Sequence, residues 1–108
     1  MVIFKVFYSK VSISKLEKSD NLFRKWVENI ADQLAEYPFH GKTLGRKWFR
    51  EKKFLKYRLY FLVFEKYESV LIVNFSEKKD QQKIIQAIMS NINLFQKEIE
   101  TFLDVSEF

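Results

Sequence analysis

The chain contains two glycines and one proline, and Pro38, Gly41 and Gly45 all fall within one short stretch. These residue types stop helices and permit sharp turns. Concentrated in one place, they mark a single main junction and leave long runs on either side without a breaker. Residues 20–36 precede it. Leu22, Phe23, Trp26, Val27, Ile30 and Leu34 recur there at helical spacing, and Asp20 or Ser19 can cap the start by accepting backbone N–H bonds. The spacing predicts a helix that ends at Pro38.

Beyond the junction the pattern changes to strands. Residues 46–52 read as a basic strand carrying Trp48 and Phe49. Residues 57–65, YRLYFLVFE, are strongly β-prone, and so are 70–75, VLIVNF. The short connections between these strands imply antiparallel pairing. Residues 2–8, VIFKVFY, read as a first strand, while 9–19 fit either a loop or a short first helix. From Asp80 onward, Ile85, Ile88, Ile92, Phe95, Ile99 and Phe102 form one apolar stripe at three- and four-residue spacing. That predicts a helix over about 80–103, roughly 36 Å long at 1.5 Å per residue. The weak helix formers Asn91 and Asn93 allow a break near 90–94. The stripe can cover the sheet and the helix over 20–36, or its far end can form a homodimer seam. The element order predicts one α+β domain over 1–108, with helices on one face of an antiparallel sheet.

Composition narrows the function. With 47% hydrophobic residues, including twelve Phe, five Tyr and two Trp, the 108-residue chain can bury a core. It lacks cysteine, which removes disulfides, thiol catalysis and thiolate metal sites. His40 is the only histidine, so a histidine-based metal centre or a Ser–His–Asp triad has little to be built from. No metal and no cofactor are expected. The longest apolar run, Leu59 to Phe64, is too short to span a bilayer, and residues 1–8 lack the pattern of a signal peptide. The protein is therefore expected in the cytoplasm, without a membrane partner.

The net charge is +5, which favours an anionic partner. The charge is also uneven. Lys42, Arg46, Lys47, Arg50, Lys52, Lys53, Lys56 and Arg58 lie within 42–58, against one acid, Glu51. Acidic residues concentrate in 17–36 and 98–107. A localised basic patch fits this better than an evenly charged coat.

Three stretches in order carry a family resemblance: EYPFHGKTLG, FREKKFLKYRLYFLVFE and VLIVNFSEKKDQQKI. The chain resembles the RelE/ParE superfamily of toxin–antitoxin toxins over roughly 2–90. The resemblance implies a fold with an N-terminal strand, a helical hairpin or single long helix, three further antiparallel strands, and a C-terminal helix on one face of the sheet. The activity it implies is that of a RelE-like toxin: a ribosome-dependent endoribonuclease that cleaves mRNA, inhibits translation and is neutralised by a cognate antitoxin. The superfamily also includes ParE-like gyrase inhibitors and silent members, so a non-catalytic protein that binds an antitoxin or nucleic acid is the alternative. The third reading is a basic domain that binds nucleic acid without specificity.

The resemblance implies site residues as well. Arg58, in KYRLYF, matches the arginine that contacts the scissile phosphate; a guanidinium offers paired planar donors to phosphate oxygens. Its alternative is a structural arginine that packs on Tyr60 and pairs with a carboxylate such as Glu51. Lys47 and Arg50 lie where the family places catalytic cations, and Lys78 follows the last strand. Arg46, Lys52, Lys53, Lys56, Lys79 and Gln81 are the expected RNA-binding set. Strand alternation puts Lys47, Phe49 and Glu51 on one face, and Trp48, Arg50 and Lys52 on the other, so only one set can line a cleft. Ile84 stands where some mRNA-cleaving members carry a tyrosine. That leaves Tyr57, Tyr60 or His40 as candidates for proton transfer.

Overall fold

The computed structural model describes residues 2–104. Its elements are β1 (Lys5–Tyr8), α1 (Lys10–Glu17), α2 (Asn21–Glu36), β2 (Lys42–Arg46), β3 (Phe49–Phe54), β4 (Tyr57–Phe64), β5 (Ser69–Glu77), α3 (Gln81–Ser90) and α4 (Ile92–Phe102). The strands form one sheet in the order β1-β5-β4-β3-β2. β1 runs parallel to β5, and the other neighbours are antiparallel.

Residues 9–19, open between loop and helix from the sequence, begin with a polar anchor. The Ser9 hydroxyl accepts from the Ser12 N–H at 3.1 Å, which caps α1. Ser9 Oγ also donates to the Val73 carbonyl at 2.8 Å, and Ser12 Oγ to the Ile72 carbonyl at 2.9 Å. Both serines are fully buried, so α1 is pinned to β5 by hydrogen bonds rather than by an apolar stripe. α2 follows the ordinary logic. Asp20 caps it by accepting from Phe23 N–H at 2.8 Å, and Val27, Ile30 and Leu34 are its buried stripe. α1 and α2 are two separate helices joined by residues 18–20.

Helices cover both faces of the sheet, where the sequence led us to expect one. Val27, Ile30 and Leu34 pack on Leu59, Phe61, Val63, Val70, Ile72 and Phe75. On the other face, Ile88 of α3 and Ile99 of α4 pack on Phe49, Tyr60, Leu62, Leu71 and Val73. The physical reason lies in β4 and β5. A sheet buried on one side alternates apolar and polar residues, and these strands are almost continuously apolar. The C-terminal stripe therefore covers the face of the sheet opposite α2. Asn91 divides it into α3 and α4, and its side chain donates to the Ala87 carbonyl at 2.8 Å.

The basic strand expected over 46–52 is displaced. Residues 42–46 form the edge strand β2, Lys47 and Trp48 make the turn, and β3 begins at Phe49. Among the described residues no helix is long and apolar enough to cross a membrane.

Candidate nucleic-acid interface

A two-residue turn, Leu55–Lys56, joins β3 to β4 and fixes their register. Lys53 stands opposite Arg58, and Glu51 opposite Tyr60. Directly paired residues share a face, so Glu51, Lys53 and Arg58 lie on the side covered by α3. On the outer edge, Lys42 of β2 pairs with Glu51. Gly41, just before it, has a φ of 80°, and a Cβ there would collide with the Glu51 carbonyl oxygen. Only glycine lets the loop approach β3 this closely.

These elements enclose a cleft of about 450 Å³, lined by Gly41, Lys42, Glu51, Lys52, Lys53, Arg58, Lys78 and Gln81. Five cations thus surround one carboxylate. Glu51 and Arg58 form its floor. Their side chains are 6% and 7% exposed, and Arg58 Nε is 3.5 Å from Glu51 Oε2. Gln81, the first residue of α3, donates its amide to both Glu51 oxygens at 2.6 and 2.9 Å. Arg58 Nη1 donates to the carbonyls of Leu55 at 3.2 Å and Tyr57 at 2.9 Å. No buried side-chain nitrogen or oxygen among the described residues is left without a partner. Nη2 has no partner in the protein, so it is not fully buried and is the guanidinium nitrogen left for a ligand of the cleft that Arg58 lines.

The arginine is therefore oriented and half neutralised at once. Glu51 removes part of its attraction for an anion, while the carbonyls and the carboxylate hold its plane in place. Four lysines around the rim restore a strong positive field. The arrangement suits a phosphate better than a carboxylate metal site. Among the described residues no group of three or more His, Asp or Glu is placed to hold a metal.

The cleft gathers Arg58, Lys78, Lys52, Lys53 and Gln81 from the expected set; Lys52 lies on the strand face opposite Glu51 and Lys53 and reaches in alongside Gly41, so both faces of β3 contribute where one was expected. It does not gather Lys47, Arg50, Arg46, Lys56 or Lys79. Lys47 lies in the β2–β3 turn, exposed, 3.8 Å from Glu65 and over the Phe39 ring. Arg50 points to the other side of β3. Its three nitrogens donate to the carbonyls of His40, Lys47 and Gly41 at 2.9, 3.1 and 3.0 Å, so it clamps the loop that leads into Lys42. Arg46 ends β2 in solvent, Lys56 lies 3.7 Å from Glu77, and Lys79 is exposed in the turn before α3.

None of the candidates for proton transfer lines the cleft. Tyr60 is fully buried, and its hydroxyl is 2.7 Å from Ser76 Oγ. Burial pushes that hydroxyl above its ordinary value of 10.0. Tyr57 belongs to an aromatic cluster under α2, with its ring 5.2 Å from Phe23. His40 is held below 6.5 by desolvation and by the charges of Lys52 and Arg50, and it lies outside the cleft lining. Ile84 packs against the core under α3. Sequence reasoning missed Lys42 and Gly41 as site residues and weighed Glu51 only as a partner for Arg58. The signal for Glu51 was its place as the single acid in the basic run.

A second cavity of about 290 Å³ lies at the other end of β4, between Trp48, Leu62, Phe64, Ile92 and Gln96. It is largely apolar, shares no lining residue with the basic cleft, and includes Glu65, the partner of Lys47.

Neither a family model nor a curated protein sequence matches the chain. Solved structures do. A doubly substituted RelE toxin from E. coli in the free state superposes with a TM-score of 0.70 over 83% of this chain and 98% of that one, at 16% identity. The same toxin in complex with a peptide of the antitoxin RelB gives 0.64 over 77% and 95%, at 13% identity. The toxin–antitoxin complex RelBE2 from Mycobacterium tuberculosis gives 0.62 over 71% and 93%, at 22% identity. The chain has the RelE toxin fold.

Proposed function

We propose that this RelE-fold chain is a toxin that holds an RNA strand in the basic cleft, cleaves mRNA on the ribosome and is silenced by a cognate antitoxin. The observation that carries this reading is the cleft itself: Arg58, oriented with one edge open, among Lys42, Lys52, Lys53 and Lys78. Cleavage of this kind uses the ribose 2′-OH against the adjacent phosphate. It needs a group to take that proton, cations to stabilise the phosphorane, and a proton for the leaving 5′-oxygen. Arg58 and the lysines supply the cations. Proton transfer falls to the groups that line the cleft, with Glu51 the carboxylate acceptor and a lysine ammonium the donor. An acidic antitoxin segment laid across the same cations would exclude RNA.

A second reading has its own support. Arg58 is tied to Glu51, and neither a tyrosine nor the histidine lines the cleft. This favours a non-catalytic member that binds RNA, an antitoxin or, in the manner of ParE, gyrase. One experiment separates the two. Wild type and Arg58→Ala are added to a programmed translation reaction, and mRNA ends are mapped. Codon-phased cuts that vanish in the variant support the nuclease. A well-folded wild type that yields no cuts, with or without ribosomes, supports the binding protein, and inhibition of DNA supercoiling would identify the gyrase form.

A further inference from the structure

Leu55 opens the turn between β3 and β4. At 76% it is the most exposed large apolar side chain among the described residues. Its φ is 53°, in the left-handed region. The first position of such a two-residue turn favours glycine, because a Cβ is penalised there. Leucine is therefore the wrong choice twice: its backbone is strained and its side chain is left in water.

The turn's geometry has a local purpose, because the Leu55 carbonyl accepts from Arg58 Nη1 at 3.2 Å. Glycine would present the same carbonyl with less strain, so the orientation of Arg58 does not explain the side chain. Its surroundings suggest a use. Lys52 and Lys53 precede the turn, Lys56 follows within it, and Lys53 and Arg58 line the cleft. Whatever touches Leu55 must also accept dense positive charge while offering an apolar surface. A single RNA strand does both, since its bases present apolar faces beside their phosphates.

We propose that Leu55 is an apolar wedge that packs against an unstacked nucleobase next to the phosphate held by Arg58. This rests on the reading that the cleft binds RNA. Apolar side chains at the rim of basic surfaces act in this way when they separate neighbouring bases. Local strain at a ligand contact is the expected companion of such a role.

Fluorescence anisotropy at low salt tests it, with the whole chain, a short unstructured RNA and an oligonucleotide of equal length whose sugars carry no bases. Leu55→Gly should melt no lower than wild type yet bind the RNA on the order of tenfold more weakly. Leu55→Met should bind like wild type. On the base-free oligonucleotide, wild type and Leu55→Gly should be indistinguishable. If Leu55→Gly binds RNA normally while Arg58→Ala is weakened, the wedge is refuted and the RNA reading stands. The wedge also falls if Leu55→Gly weakens both oligonucleotides equally or melts lower, because the residue then acts through the turn. If wild type binds no RNA, both proposals fail together.

Discussion

Replacing Glu51 by glutamine should move stability and RNA affinity in opposite directions. The substitution keeps the shape of the side chain and removes its charge. Glu51 and Arg58 are almost wholly buried at 3.5 Å, and breaking a buried pair by removing one partner costs about 3–5 kcal/mol. Arg58 keeps two carbonyl acceptors and one edge on the cleft, which points to the low end, about 3 kcal/mol. At about 4 °C per kcal/mol for a chain of this size, Glu51→Gln should melt about 12 °C lower. Binding should improve. A phosphate about 5 Å from the carboxylate, at an effective dielectric constant of about 40, is repelled by about 1.7 kcal/mol. Without that repulsion, a short single-stranded RNA should bind on the order of tenfold more tightly at low salt, and less so as salt screens the cleft. Thermal melts and fluorescence anisotropy on the same preparations give both numbers. Arg58→Met completes a cycle: in its background Glu51→Gln should cost less than about 1 kcal/mol, because the partner is gone. If Glu51→Gln proves as stable as wild type, Glu51 does not anchor Arg58; if it binds RNA more weakly, Glu51 does not compete with phosphate; either result refutes the reasoning. A variant that binds more tightly and no longer cuts mRNA would assign Glu51 to proton transfer.

Gly41→Ala should destabilise the protein by more than about 2 kcal/mol in urea melts, because the left-handed backbone and the collision with the Glu51 carbonyl add. Arg50→Lys should cost about 1–2 kcal/mol in the same assay, since an ammonium cannot reach the His40, Lys47 and Gly41 carbonyls together; an unchanged midpoint would show that the clamp contributes nothing. His40 titrates below 6.5 in the folded protein, so the unfolded chain binds its proton more tightly and stability falls as pH drops through that value. His40→Asn should remove this part of the slope, and the difference in melting temperature between it and wild type should change between about pH 7.5 and pH 5.

Particular residues show what the sequence could and could not convey. The runs LYFLVF and VLIVNF identified β4 and β5 because nothing else accommodates so much apolar side chain in so few residues. The same runs lack the apolar–polar alternation of a sheet covered on one face, a signal that the expectation of helices on one face passed over. α1 stayed open because its anchors are two serines bonded to the carbonyls of Ile72 and Val73, and no apolar period records that. Residues 42–45 fell in the glycine-marked junction because they lack β-branched density; pairing with β3 makes them, with Arg46, a strand. The site follows the same division. Charge density in 42–58 indicated an anionic partner but not where the charges would converge. The two-residue turn sets the register, and the register sorts the cations. Lys53 and Arg58 share one face and meet Lys42 at the cleft, Lys52 reaches it from the opposite face alongside Gly41, Arg50 is spent on a loop, and Lys47 and Lys56 stand in exposed pairs. The same register sets the one acid of the stretch against Arg58, with the open edge of the guanidinium beside it. A basic segment thus becomes a binding site through pairing geometry, and one residue inserted into or removed from the β3–β4 turn would redistribute its charges more than any single lysine substitution.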